Sequence, residues 1–375
     1  MASYLEGGEL NILRFLNGVI QKRNTEHEHD KTIENIYHNT KIKSLDEFSF
    51  AQYLCQQEVY QNKYKLTSMF PLLFLLQLVV MAVLFFFALF GGRGKKQMKN
   101  KKVLAVLPSE DMLPLALKDN YEFSLRQDLK FNFNFNDFYF CLKIFNKYFS
   151  HPYFVIKSVY ICWLYSKAAK EYGAVCVSNE YSFTSSILTS YFNFNDVTSI
   201  NCMHGEKCYD AVDAFCCFDF FYVWDEHYEK LMTSMHCKAK FIISNCDMLL
   251  LDLSAESKDR ACYLLQGEES LEELSYVRDN LIKIAADYNL KYISVKPHPI
   301  YLTPNLLDVF DESEVYTEAN LEVLKESYVV CGKFSTVLFQ VYVSRVRGVP
   351  LIALFSGYYK HESDYVLTQK ADIFV

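Results

Sequence analysis

The sequence predicts an α/β protein with two lobes, preceded by one membrane-spanning helix. Three observations indicate this architecture: a long uncharged apolar run over residues 69–90, an alternation of short apolar β-rich runs with helical stretches after residue 101, and a second series of such runs starting near residues 245–248. Continuous apolar strands that alternate with helices are typical of parallel sheets covered on both faces. The 375 residues suffice for a tail, an anchor and two lobes.

The composition excludes one class of partner and indicates a compartment. A net charge of −7 argues against general nucleic-acid binding, which needs a basic surface to displace counterions from phosphate. The hydrophobic fraction of 51% supports a large core. The twelve cysteines include no C-x-x-C pair, and several lie inside apolar runs, where cysteine behaves as a small hydrophobe. We therefore expect reduced core thiols in a cytosolic compartment.

The N-terminal region, residues 1–68, carries no recognisable chemistry, and its role is unassigned. It is mixed in charge and rich in Asn, Glu, His and Tyr. Short helices are predicted over residues 8–20 and 46–62, and a polar loop over residues 21–31.

The run over residues 69–90 is long enough to cross a membrane. It contains no charged residue, Gln77 is its one strongly polar side chain, and Pro71 lies in the first turn, where a missing N–H costs little. At about 1.5 Å per residue such a helix spans about 30 Å, the thickness of the hydrocarbon layer. A buried core helix is the alternative, but core helices rarely run this long without a charge.

The charges that flank this run predict its orientation. The juxtamembrane linker, residues 91–102, carries six basic residues and no acid, whereas only Lys63 and Lys65 lie close on the other side. The positive-inside rule then places the C-terminal region in the cytoplasm, at a bacterial inner membrane. A type II Golgi orientation would reverse this sidedness. The linker would also contact anionic lipid headgroups.

The first lobe is predicted over residues 103–245. Buried strands are expected near residues 102–108, 174–178, 197–203, 219–224 and 240–244, and helices near residues 138–149, 159–172, 182–192 and 226–232.

The second lobe is predicted over residues 246–375. Strands are expected over residues 248–253, 292–295, 314–317, 328–331 and 349–354, and helices over residues 271–288, 320–326 and 335–345. Both lobes would be Rossmann-like, with ligands at the carboxyl ends of strands and at helix N-termini.

The second lobe offers an anion site. His298 lies between two prolines directly after a strand, which restricts the backbone, and Lys296 adds a positive charge. Ser335 and Thr336, which follow Gly332 and the next long strand, open a helix whose hydroxyl and N–H groups would bind an anion. Ordinary N-capping and a structural histidine are the alternatives. We add Glu318 as a further nucleotide-site candidate.

The first lobe offers a general base. His204 and Glu206 follow a predicted strand, and Glu180 follows the strand before it. A histidine and an acid at this edge would activate a hydroxyl group. The alternative is a turn with exposed polar residues.

These motifs resemble a known site. His298-Pro299 at a strand end, with Ser335-Thr336 opening a later helix, resembles the nucleotide-sugar site of bacterial GT-B glycosyltransferases, in particular sialyltransferases and polysialyltransferases, and more loosely other capsule and lipooligosaccharide transferases. The resemblance covers residues 101–375. It implies a GT-B-like fold, a donor phosphate bound by His298, Ser335 and Thr336, and His298 as general acid. That family's base lies in a D/E-D/E-G motif, from which His204-Gly205-Glu206 departs.

The sequence therefore predicts a membrane-anchored, metal-independent glycosyltransferase without a cofactor. It would move a sugar from a nucleotide donor, with CMP-sialic acid as a candidate, to a surface glycan or glycolipid, because fixed donors alone can stabilise a departing phosphate. The partners are a nucleotide sugar, the acceptor and the lipid bilayer. Two alternatives stay open: a sugar-nucleotide epimerase or polyol-phosphate transferase on the same scaffold, and a non-catalytic membrane-tethered scaffold.

Overall fold

The computed structural model describes residues 28–60, 70–90, 99–254, 258–267, 269–298, 305–318, 321–355 and 365–375. The chain divides into two compact units between Asn245 and Cys246, and the short stretch Gly205–Cys208 belongs with the second unit. The helix predicted over residues 8–20, most of the basic linker and Pro299 lie outside the described residues.

Two N-terminal helices belong to the first unit. They are α1 (His29–Thr40) and α2 (Leu45–Val59), and α2 starts with a capping box between Ser44 and Glu47. The prediction of a loop through residue 31 is wrong at its end, because α1 starts at His29. The polar sequence of α1 gives a weak helical pattern, and tertiary packing stabilises it: Ile33 is fully buried and the Tyr37 ring stacks on His236 at 3.8 Å.

The apolar run forms one helix, α3 (Phe70–Phe90), as predicted. By length and composition α3 can cross a bilayer. One stripe of the helix packs on two later helices of the first unit, α4 (Phe135–Lys147) and α5 (Pro152–Leu164). The buried stripe consists of Leu73, Gln77, Met81, Leu84 and Ala88.

The first unit contains a six-stranded parallel sheet in the order β2-β1-β3-β4-β5-β6. Its strands are β1 (Asn100–Val106), β2 (Tyr121–Ser124), β3 (Tyr172–Val177), β4 (Thr198–Cys202), β5 (Cys217–Val223) and β6 (Lys238–Ile243). The connecting helices after α5 are α6 (Ala168–Glu171), α7 (Ser185–Phe194) and α8 (Glu226–Ser234). Because the strands are parallel, their carboxyl ends lie along one edge of the sheet.

The second unit contains a five-stranded parallel sheet in the order β11-β10-β9-β7-β8. Its strands are β7 (Arg260–Leu264), β8 (Tyr292–Lys296), β9 (Ser327–Gly332), β10 (Leu351–Leu354) and β11 (Ile373–Phe374). Its helices are α9 (Leu271–Asp287), α10 (Leu306–Val309), α11 (Glu322–Lys325) and α12 (Thr336–Ser344). The core of this unit lies between α9 and the sheet.

The predicted class is confirmed: two parallel sheets, each built from strands that alternate with helices. Two predicted strands are wrong. Residues 248–253 form a short 3-10 turn and a loop that pack on α12, where Gln340 Nε2 donates to Met248 O at 2.6 Å and Leu251 N donates to Ser344 Oγ at 2.7 Å. Residues 314–317 contribute a single bridge between Val315 and Val295 after a 3-10 turn.

Candidate functional site

A buried carboxylate and a histidine meet at the carboxyl edge of the first sheet. Glu180 follows β3 and His204 follows β4, and these strands are paired. The His204 Nδ1 atom lies 2.8 Å from Glu180 Oε1. The Glu180 side chain is fully buried, whereas 30% of the His204 side chain is exposed. A carboxylate that accepts from Nδ1–H fixes the imidazole tautomer and leaves Nε2 able to take a proton.

Three neutral side chains hold the Glu180 segment in place. Asn201 on β4 donates through Nδ2 to Glu180 Oε2 at 3.0 Å, and its Oδ1 accepts from the Asn179 N–H at 2.8 Å. Gln52 on α2 donates through Nε2 to the Glu180 carbonyl oxygen at 2.8 Å. The Ser185 hydroxyl donates in turn to Gln52 Oε1 at 3.3 Å. The carboxylate is therefore oriented by partners from two different elements.

The two members of the predicted His204–Glu206 pair belong to different compact units. Glu180 is the acid that hydrogen-bonds to His204. Glu206 belongs with the second unit, and its backbone N–H donates to Thr336 Oγ1 at 3.0 Å. The Thr336 hydroxyl thus contacts the chain segment that follows the histidine.

Lys296 and Glu318, both candidates from the sequence, meet in the second unit. Lys296 Nζ donates to the Glu318 carbonyl oxygen at 2.6 Å and lies 5.2 Å from the centre of the Tyr316 ring. Burial lowers the pKa of Lys296, against the opposing influence of Cys262 and Glu318. A partly desolvated ammonium group at the end of a parallel strand is suited to binding a phosphate.

His298 lies two residues beyond β8. Burial lowers its pKa below the usual histidine value, and the nearby Glu269 carboxylate acts in the opposite direction. A neutral imidazole can donate one hydrogen bond to a phosphate, but it carries no proton in excess for a leaving group at neutral pH.

Ser335 caps α12, which is the alternative that the sequence left open beside an anion site. Its hydroxyl oxygen accepts from the Val337 N–H at 3.1 Å. Gly332 packs closely on α12: a Cβ atom there would lie 2.8 Å from Leu338 Cδ1, so the Leu338 side chain would have to shift. Lys333, beside it, pairs with Glu273 at 2.8 Å. The start of α12 is thus a formed helix N-terminus of the kind that binds anions.

Sequence reasoning missed Glu269, since it missed β7. The carboxylate is buried and accepts from the backbone N–H groups of Gln266 at 2.6 Å and Gly267 at 2.9 Å. Gln266 Nε2 donates to the Phe334 carbonyl oxygen. The loop after β7 therefore lies beside the start of α12. Because β7 separates β8 from β9, His298 and Ser335 follow strands that are not neighbours.

Among the described residues, no group of three or more His, Cys, Asp and Glu side chains is arranged to hold a metal ion. The described side chains include a carboxylate–imidazole pair, Glu180 with His204, and a partly buried lysine, Lys296, at the end of a strand.

Comparison with known proteins gave weak similarities only. No family model matches the chain, and no curated protein matches it in sequence. Similar solved structures include a protein from Listeria monocytogenes provisionally assigned as a UDP-N-acetylglucosamine 2-epimerase, with 9% identity and a TM-score of 0.41 over 70% of this chain and 81% of that one. Another is a complex of S. aureus MnaA with UDP, with 10% identity, a TM-score of 0.41 and the same coverage. Similarity at this level does not assign a function.

Proposed function

We propose that the chain is an enzyme of nucleotide-sugar chemistry in which His204, oriented by Glu180, transfers the proton. The observation that supports this most is the 2.8 Å contact between a fully buried carboxylate and a partly exposed imidazole at the carboxyl edge of a parallel sheet. This edge is where α/β proteins bind their ligands. Carboxylate–imidazole pairs are common acid–base devices, and one such group contributes roughly 10²–10⁴-fold to a rate.

The second unit, taken by itself, carries a candidate phosphate site. Lys296 provides a cation, the start of α12 provides N–H groups and the Ser335 cap, and His298 provides one neutral donor. Thr336 is the fourth candidate, and its hydroxyl oxygen accepts from Glu206 N–H. These groups are donors suited to the phosphates of a nucleotide.

Two reactions would use such a base. In glycosyl transfer, His204 would take the proton of an acceptor hydroxyl group. In epimerisation, it would take a proton from a carbon atom of the sugar, and a proton from the solvent would return to the opposite face of the same carbon atom. Epimerisation is the first reaction to test, because it needs the nucleotide sugar alone.

Ligand binding is the first experiment. UDP-N-acetylglucosamine, CMP-sialic acid, UDP and CMP are added separately, and the midpoint of thermal unfolding is measured. A ligand at 100 times its Kd stabilises the native state by about 2.7 kcal/mol. We expect one nucleotide series to raise the midpoint. A chain stabilised by none of the four would instead fit a non-catalytic scaffold.

Turnover is the second experiment. The nucleotide sugar that binds is incubated in D2O, with and without glycan acceptors. Deuterium in the recovered sugar indicates epimerisation, and nucleotide release that depends on the acceptor indicates transfer. We expect His204→Gln and Glu180→Gln to lower turnover by at least about 10²-fold while the thermal shift is kept. The control is His38→Gln on α1, whose side chain is 74% exposed. Full turnover by His204→Gln would exclude the proposed role.

A further inference from the structure

The segments before and after α3 fold into one core. Ser49 and Gln52 on α2 are fully buried; the Ser49 hydroxyl donates to the Phe183 carbonyl oxygen, and Gln52 Nε2 donates to that of Glu180. On the same helix, Asp46 pairs with Lys147 of α4 at 2.6 Å. A helix that crosses a bilayer once leaves its two flanks on opposite sides of about 30 Å of hydrocarbon. If α3 crossed the bilayer once, α2 and the sheet would lie on opposite sides of the membrane and could not keep these contacts.

We infer that α3 does not cross the membrane but lies in its plane, with one face in a single leaflet and the other on the first unit. This placement replaces the single-pass arrangement expected from length and flanking charge.

Contacts along the whole of α3 support this placement. Near its start, the Phe74 ring lies 4.7 Å from that of Phe149, and Gln77 Nε2 donates to the Phe149 carbonyl oxygen at 3.1 Å. Near its end, the rings of Phe87 and Phe131 lie 5.8 Å apart. If α3 stood upright in the bilayer, α4, which packs on it, would enter the hydrocarbon with its exposed Lys143. Placing this charge in hydrocarbon costs free energy, and a helix that lies in the membrane plane avoids that cost.

The outward face of α3 is apolar and exposed. Leu72 and Leu75 are 61% and 60% exposed, and Phe86 and Phe90 are 60% and 86% exposed. The surface continues onto neighbouring residues: Phe131, Phe135 and Tyr139 are also exposed large side chains. Soluble proteins rarely expose a contiguous apolar surface of this extent unless it binds something.

The basic stretch that follows α3 in the sequence, together with Lys143, favours an anionic lipid surface as the occupant of this face. The sequence that follows α3 carries six basic residues and no acid, and its last two, Lys101 and Lys102, are exposed at the start of β1. Lys143 lies 4.4 Å from the centre of the Tyr139 ring, beside the apolar surface. Aromatic and apolar side chains bordered by lysines are typical of helices that lie in the interface of an anionic membrane.

The first test measures sidedness. Protease cleavage sites are inserted into the full chain within residues 61–69 in one variant and within residues 91–98 in another. Sealed right-side-out and inverted bacterial vesicles are then treated with the protease. An in-plane α3 predicts that both sites are cut from the same side. Cleavage from opposite sides would overturn the inference.

The second test measures lipid binding by the purified full chain, without substrate and hence independently of the proposed reaction. Flotation is compared on phosphatidylcholine vesicles with and without phosphatidylglycerol. We expect Leu75→Glu with Phe86→Glu to weaken binding by at least about tenfold. Lys101→Glu with Lys102→Glu should remove the preference for phosphatidylglycerol.

The matched control changes the same residue types elsewhere on the first unit. Leu115 and Phe194 are 45% and 41% exposed. Leu115→Glu with Phe194→Glu should leave flotation unchanged. If Leu75→Glu with Phe86→Glu instead keeps lipid binding and dissociates a dimer of the chain, the exposed face is a protein interface and the inference is wrong.

Discussion

At the scale of single residues, Asn201 is the side chain on which the orientation of Glu180 most depends. It holds the carboxylate at 3.0 Å and the Asn179 N–H at 2.8 Å. We predict that Asn201→Ala lowers kcat roughly tenfold to hundredfold, since losing a buried hydrogen bond to a charged group costs about 1–3 kcal/mol and 1.36 kcal/mol is a factor of ten in rate. Steady-state kinetics and nucleotide-induced thermal shifts check this, and the thermal shift should persist.

The control for Asn201→Ala is Ser199→Ala on the same strand. Ser199 is buried and donates to Asp219 Oδ2 at 2.9 Å, so the substitution also loses a buried hydrogen bond. It has no hydrogen bond to Glu180, and kcat should stay within about twofold of that of the unmodified chain. Equal losses of kcat in both variants would mean that Asn201 acts through stability alone.

A second residue-scale prediction concerns His298. Burial lowers its pKa, so the imidazole is neutral at pH 7 and gains its charge only as the pH falls below the usual histidine range. The protonated form attracts phosphate, so affinity for a nucleotide sugar should rise about threefold to tenfold between pH 7 and pH 5. The phosphodiester oxygens of UDP-N-acetylglucosamine do not titrate in this range. Calorimetry should show the rise in the unmodified chain and in His38→Gln, but not in His298→Gln.

The candidate residues could be chosen from the sequence more easily than their contacts. His204 and Glu180 were candidates because each follows a continuous apolar strand, and this position is visible in a sequence. Their pairing was not visible, because it requires β3 and β4 to be neighbours. Asn201 was missed because it lies inside a strand, where nothing in the local pattern distinguishes a supporting amide from any other residue.

At the scale of elements, α2 is what connects the N-terminal region to the site. Gln52 is fully buried, and its amide donates to the Glu180 and Val212 carbonyl oxygens at 2.8 Å and 3.1 Å. We predict that Gln52→Ala destabilises the first unit by about 1–3 kcal/mol, because the buried Glu180 carbonyl oxygen loses this donor, whereas that of Val212 keeps Gln56. Tryptophan fluorescence measures this unit selectively, since both tryptophans, Trp163 and Trp224, lie in it.

Gln56→Ala, one helical turn later, is the control for Gln52→Ala. Gln56 Nε2 donates to the Tyr181 carbonyl oxygen at 2.8 Å, in an exposed setting where water can replace it. It also donates at 3.1 Å to the Val212 carbonyl oxygen, which keeps Gln52 as a donor in this variant. The thermal midpoint of Gln56→Ala should change little, which corresponds to a change of less than about 0.5 kcal/mol in the free energy of unfolding. A Gln56→Ala variant as unstable as Gln52→Ala would show that burial does not decide the contribution of these amides.

Strands were predicted correctly where an apolar run could be buried only as a strand. Most strands of both sheets were placed within a few residues. The error at residues 248–253 arises because an apolar run can equally pack on a helix as a loop, and Leu249 and Leu253 are buried in that way. The strand β7 was missed because charged residues directly precede its short apolar run, residues 261–265.

At the scale of the whole molecule, the fold class could be predicted from the sequence, whereas the order of the strands within each sheet could not. Alternating strands and helices imply parallel sheets, and both sheets are parallel. The position of β7 between β8 and β9 depends on which faces α9 and α12 cover, and single-sequence patterns do not encode this. The sequence therefore placed His298 and Ser335 on successive strands, whereas the sheet places a third strand and Glu269 between them.

The cysteines allow a test of both cores at once. All twelve lie in the described ranges, where none forms a disulfide; eleven are buried and Cys208 is half-buried. Burial raises the pKa of the Cys262 thiol to about 11, so its reactive thiolate is scarce at pH 8. We predict that a thiol reagent titrates one cysteine rapidly in the native chain and the rest at least about a thousandfold more slowly, since they react only after opening. Cys208→Ser should remove the rapid phase, and denaturant should expose all twelve. A native chain with several rapidly reacting thiols would contradict the packing of whichever unit contains them.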